Sequence, residues 1–115
     1  MNRVSILTSI KKLLGISENY TTFDQDIIIH INSVFMILKQ LGVGPQDEVF
    51  TIKDNSTTWD QFVDEDDDLE AIKTYIYLKV KLVFDPPLNS MVMEAYKETI
   101  SELEWRLNVN IEEEV

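Results

Sequence analysis

One run of acidic residues has the composition of a cation site. Five consecutive acids occupy positions 64–68, and Asp64, Asp66 and Asp68 alternate along the chain as the ligands of a helix-loop-helix calcium site do. The rest of that motif fails, because Leu69 stands where a glycine must turn the chain and Tyr75 stands where a bidentate glutamate belongs. The run is therefore predicted to be a solvated helix start, and no metal is expected.

The other residues that could do chemistry do not combine into a catalytic site. His30 is the only histidine and the chain has no cysteine, so neither a thiolate zinc site nor a disulfide is possible. We interpret His30, which lies within an apolar helical pattern, as a partly buried or interface residue. Residues 42–45 are too short for a phosphate-binding loop and lead into acids. The sequence therefore predicts a protein that is not an enzyme and uses no cofactor.

The charge balance narrows the classes of partner. The chain carries 21 Asp and Glu against 10 Lys and Arg, a formal net charge of −11. Duplex DNA is itself a dense line of negative charge, so a protein that grips it needs a cationic surface. Binding in a DNA groove is therefore not expected.

The length of 115 residues predicts one compact domain, which we place at residues 1–107, followed by a flexible acidic arm at residues 108–115. The sequence has neither an apolar run of membrane-spanning length nor the pattern of a signal peptide. We expect a soluble protein of the cytoplasm, or of a particle assembled there.

Apolar spacing predicts an all-α fold, a small bundle of about four helices. The first helix covers residues 4–14 and places Lys11 and Lys12 on its outer side. The second covers residues 22–41, and the spacing of Thr22 and Gln25 is that of a capping box.

The third and fourth predicted helices form the second half of the chain. The third, at residues 69–84, is apolar nearly all round, which is typical of a helix buried on several sides. The fourth begins at Asn89 or Ser90 and continues to Leu107, and Trp105 does not lie on its apolar stripe.

A long acidic loop is predicted between the second and third helices, over residues 43–68. Lys53 is its only base. Residues 49–52 have the alternation of a short strand or hairpin arm, whereas Trp59 and Phe62, three apart, indicate a turn of helix that holds the loop on the body.

Several short sequence motifs also occur in a characteristic order along the chain. The first comprises Ile6, Leu7 and Ile10 in the first helix. The later motifs are Phe23-Asp24, Ile31-Asn32, Leu41-Gly42-Val43-Gly44, Lys73-Thr74-Tyr75-Ile76, Phe84-Asp85-Pro86-Pro87 and Glu102-Leu103-Glu104-Trp105-Arg106-Leu107. This order resembles the head-tail connector family of tailed bacteriophages over nearly the whole chain.

That resemblance implies a helical subunit of a ring of roughly a dozen copies, which docks under the portal of the virion and lets DNA pass through its centre. Its partners would be the portal protein and the next head-completion or tail protein. The implied portal-binding arm comprises Leu107, Asn108, Val109, Asn110 and Ile111. The implied channel or tail-side surface is an acidic loop comprising Asp47, Glu48, Asp64, Glu65, Asp66 and Asp67.

The residues independently suggest contact between copies. The apolar third helix and Trp105 present more apolar surface than one small domain easily hides. We expect Tyr75, Tyr77, Trp105 and Arg106 at a subunit interface. The alternative is an acidic inhibitor that mimics DNA and occupies the basic groove of a repressor or nuclease.

Overall fold

The computed structural model is mostly helical, in agreement with the predicted all-α class. It describes residues 4–63 and 68–113, with side chains as far as residue 109. The helices in this part of the chain are α1 (Ile6–Leu13), α2 (Asp24–Gln40), α3 (Trp59–Phe62), α4 (Leu69–Phe84) and α5 (Ser90–Glu113). The four long helices correspond to the four predicted ones, and α3 is the single turn indicated by Trp59 and Phe62.

Helix α4 is the central element. It packs along α2 on one flank and along α5 on the other, with α1 closing against both α2 and α4. The rings of Phe23 and Phe84, 5.5 Å apart, bring the start of α2 to the end of α4, so these helices are antiparallel. Since α5 runs back along α4, α2 and α5 point in the same direction on either side of it.

The apolar core runs through all five of these helices. Its largest fully buried members include Trp59, Tyr75, Phe35, Ile31, Leu38 and Ile76. The predicted burial of the third helix is confirmed, because five of its side chains are buried, among them Ile72 and Val80. α4 therefore fills the space between its neighbours, as expected for a helix that is apolar nearly all round.

The junction of α1 and α2 differs from the prediction in two ways. Lys11, expected on the outer side of α1, is 2% exposed because its ammonium group is enclosed by the turn that follows. Thr22 does not cap α2; the residue before the helix is Phe23, which makes no side-chain capping bond. Instead, Phe23 packs between Tyr20 and Phe84, with ring centroids 5.7 and 5.5 Å away.

The loop after α2 does not form the short hairpin that its alternation suggested. Residues 49–52 have no strand partner, and an isolated bridge joins Ser5 to Thr58 instead. The backbone of Ile52 bonds to the Asn32 side chain, and Phe50 packs into an aromatic cluster. These side-chain contacts provide the hydrogen bonds and packing that a partner strand would otherwise have provided.

Helix α5 begins where the sequence indicated. The Asn89 side chain accepts hydrogen bonds from the backbone N–H groups of Met91 and Val92, at 2.8 and 3.3 Å. Its 24 residues continue past the boundary predicted at residue 107, so the first part of the expected arm is helical backbone. In the part of the chain that the structure describes, no helix is both long and apolar enough to span a bilayer.

Candidate interaction surfaces

The ionisable side chains of the described residues do not gather into a centre for metal binding. No group of three or more His, Asp or Glu within residues 4–63 and 68–113 is placed to hold an ion. Of the acidic run, Asp68 accepts a hydrogen bond from the backbone of Ala71 at the start of α4, as predicted for a helix start. The other four acids lie outside the described residues.

Tyr75, expected at a subunit interface, lies inside the folded chain. Its side chain is fully buried and its hydroxyl donates a 2.7 Å hydrogen bond to Oε2 of Glu104, which joins α4 to α5. Burial is the main cause of a raised pKa of Tyr75, and the hydrogen bond to Glu104 raises it further. This tyrosine is thus a neutral, packed link between two helices.

Tyr77 is half-buried beside Tyr96, again between α4 and α5. Burial raises the pKa of Tyr77, and the nearby Tyr96 raises it further. Only part of this side chain is available to another molecule.

Trp105 and Arg106, the other two residues expected at an interface, are on the surface of α5. Trp105 is 67% exposed. Arg106 is exposed and forms an ion pair with Glu102 one turn earlier, with 2.7 Å between Nη2 and Oε1. The structure therefore separates the predicted set: two members face solvent, one is half-buried and one belongs to the core.

Trp105 is part of a continuous exposed stripe that we call the α5 outer face. It follows a spacing of four and three residues on the side of α5 away from α4. Its members are Met91, Ala95, Glu98, Glu102 and Trp105. Near its start, a shallow open depression is lined by Ser90, Met91, Glu94, Ala95 and Glu98.

The predicted portal-binding arm starts within this same helix. Leu107 is buried and Asn108 donates a 3.5 Å hydrogen bond to the carbonyl of Leu41, which ties α5 to the end of α2. Val109 is half-buried. The backbone of Asn110 and Ile111 is helical, and their side chains lie outside the described part.

The acidic loop is described in part. Asp47 and Glu48 are exposed on it, whereas Asp64, Glu65, Asp66 and Asp67 lie outside the described residues. The described segment is anchored at two places.

The first anchor of the loop is Asn32. Its amide donates to the carbonyl of Ile52 at 3.0 Å and accepts from the Ile52 N–H at 2.8 Å. The second is a cluster of Phe35, Phe50 and Phe62, with ring centroids 4.6 to 5.1 Å apart. An acidic stretch is thus presented on a well-packed base.

Two features of the surface were not predicted from the sequence. Tyr20, Phe23 and Phe84 form an aromatic row at the end of the bundle where α2 begins, and Tyr20 and Phe23 remain 49% and 40% exposed. The second is an exposed stripe on α2 that includes Ile29 and Met36. The periodicity of the sequence predicted the buried side of α2. The apolar residues outside that periodic stripe were the signal that could have predicted the exposed one.

Comparison with known proteins places the chain in a family. A family model described as "Phage connector protein" matches residues 6–114. No curated protein and no solved structure matches the chain.

Proposed function

Since this chain belongs to the phage connector protein family, we propose that it is one subunit of a head-tail connector ring. The observation that carries the proposal is the extent of the match, which includes all five helices and the loop between α2 and α4. In this role the protein is a structural component of the virion, with other phage head and tail proteins as its partners. The ring would dock under the portal and extend the DNA channel.

The exposed residues of α5 support contact between copies. Trp and Arg are over-represented among residues that dominate binding energy at protein interfaces. Trp105 is exposed without a role in the core, and Arg106 is beside it. A head-to-tail contact that uses two different faces of each subunit can close into a ring, which is how we propose that the copies are arranged.

The end of α5 is proposed as the portal-binding segment. α5 has eight more residues than α4, equivalent to about 12 Å of helix. Leu107 and Asn108 anchor its base on the body, so the segment that follows would be held in a defined direction. This supports a docking element that begins from a fixed support.

The acidic loop is proposed as the channel or tail-side surface. A negatively charged wall does not adsorb the phosphate backbone, so DNA can slide past it. Replacing Asp66 and Asp67 by lysine should then impair DNA packaging or release, measured as packaged genome per particle. Unchanged packaging and infectivity in the double variant would remove this assignment.

The two tryptophans test the ring. Trp105→Ala should abolish the oligomer and leave the monomer folded, because an exposed side chain contributes little to folding, within about 0.5 kcal/mol. Trp59→Ala, the matched control, should instead destabilise the fold by about 3–5 kcal/mol, because Trp59 is fully buried.

Mass measurement and circular dichroism of both variants read the two effects separately. An oligomer of unchanged mass in Trp105→Ala would exclude this residue from the interface. A wild-type protein that stays monomeric, and binds a basic partner with a steep dependence on salt, would favour the acidic inhibitor instead.

A further inference from the structure

We propose that the exposed side of α2 is the surface on which the α5 outer face of the next copy docks. This inference rests on the proposed ring, and it assigns the second of the two surfaces that a head-to-tail contact requires.

The α2 outer face is an exposed stripe on the side of α2 away from α4. Its members are Asp26, Ile29, Ser33, Met36 and Gln40. Ile29 and Met36 are 61% and 56% exposed, one on each side of Ser33. The opposite side of α2 is occupied by α1 and α4, so no element of the described chain covers these two apolar side chains.

The two outer faces match in length and direction. Each extends over fourteen helical steps, from 26 to 40 and from 91 to 105, or about 21 Å. α2 and α5 flank α4 and point the same way, so the α2 of one copy and the α5 of the next would lie side by side in a ring. Each face has large apolar side chains, and Ala95 allows a helix to approach closely.

Charge identifies a second copy as the occupant. Every copy carries a net charge of −11, so copies repel each other unless the contact avoids bringing acids together. Of the α2 outer face, Asp26 at its start is acidic, and residues 27–40 contain no acid. The α5 outer face and its edge contain Glu94, Glu98 and Glu102. From Ile29 to Gln40 the α2 outer face has no carboxylate, so the acidic α5 outer face can pack on it there without bringing acids together.

The absence of cysteine permits a direct test by cross-linking. Ser33→Cys and Glu98→Cys each place one thiol at the middle of a face, and the two thiols meet when the faces pack centre to centre. Each variant alone should give no covalent dimer on mild oxidation, whereas an equal mixture should give a dimer. The double variant should give a ladder of covalent multimers, because each copy then bridges to two neighbours.

The control pairs Glu98→Cys with Asn55→Cys, an exposed position on the loop and outside both faces. This mixture should give less than about a tenth of the dimer. Cross-linking of either face variant with itself, or a double variant without a ladder while the native mass shows a ring, would overturn the docking surface but leave the ring intact. A protein that forms no oligomer, alone or with its portal, would overturn both proposals.

A second pair of variants tests the charge argument. Met36→Asp puts an acid in the middle of the α2 outer face and should raise the concentration needed for half-assembly more than about tenfold, with an unchanged helical circular dichroism spectrum. Asn55→Asp adds the same charge elsewhere and should change the concentration needed for half-assembly less than about twofold. Equal effects of the two variants would contradict the assignment.

Discussion

Lys11 shows how one side chain fixes the position of a surface. Its ammonium group donates hydrogen bonds to the carbonyls of Glu18 and Tyr20, at 3.1 and 2.8 Å, and lies 2.8 Å from Oδ1 of Asp24. An ammonium group has three donors, and three oxygen partners surround it. Lys11 therefore holds the turn between α1 and α2, and with it the exposed ring of Tyr20.

Lys11→Met should destabilise the protein by about 2–3 kcal/mol. Removing one partner of a buried ion pair costs about 3–5 kcal/mol, and the partial exposure of Asp24 reduces this. Lys12→Met, at the exposed neighbouring position, is the matched control and should change the free energy of unfolding by no more than about 0.5 kcal/mol. Urea denaturation measures both; equal effects would show that the ion pair contributes nothing specific.

Tyr75 predicts how stability changes at alkaline pH. Because its pKa is raised in the folded protein, its contribution is complete below the pKa of an unfolded tyrosine, about 10, and is lost as pH rises above that value. The loss amounts to about 1.4 kcal/mol per pH unit for the one proton. Tyr75→Phe should remove this contribution to the slope of the free energy of unfolding against pH, measured by urea denaturation between pH 9 and 11. A variant with the wild-type slope would refute the link.

At the scale of elements, the loop after α2 depends on glycine conformation and on a close aromatic contact. Gly44 has φ of +84°, and the ring of Phe62 occupies the place where its Cβ would be. Gly15 has nearly the same φ, +80°, but open space around it. Substitutions at the two glycines can therefore distinguish the cost of backbone strain from the cost of a packing clash.

Gly15→Ala should cost about 1–2 kcal/mol, the strain of a left-handed alanine. Gly44→Ala should destabilise the fold by about 1–3 kcal/mol more than Gly15→Ala does, because the buried ring of Phe62 must move. Thermal unfolding of both variants measures the difference. Equal costs would show that Phe62 adapts freely and that the loop base is loosely packed.

The long helices were predictable because their apolar residues repeat at helical spacing. The exposure of Trp105 was also predictable, since it lies off the stripe of α5. The burial of Lys11 was not, because its three oxygen partners come from the turn and the start of α2, and only the fold brings them together. The hairpin prediction failed because Asn32 and Phe35, distant in sequence, provide the contacts that a second strand would have provided.

The candidate site was predictable only in part. Tyr75 and Tyr77 were chosen because α4 is apolar nearly all round, but α2 and α5 of the same chain cover most of that surface. The outer sides of the two flanking helices also carry exposed apolar residues, Ile29 and Met36 on α2 and Met91 and Trp105 on α5. A sequence shows how much apolar surface a helix has, whereas the packing of the helices decides which part stays open.

At the scale of the whole molecule, the protein measures about 41 × 35 × 23 Å, with α4 between the two helices that carry the outer faces. The protein therefore has two different exposed helical faces, which the proposed ring of identical copies would use. The large negative charge keeps free copies apart and limits the surfaces on which they can meet.

The most direct test of this account is the native mass of the purified protein, alone and mixed with the portal protein of its phage. We predict a closed oligomer of a single size, formed either by the protein alone or on the portal, that appears as a ring under the electron microscope. A protein that stays monomeric at every concentration and does not bind the portal would contradict the account.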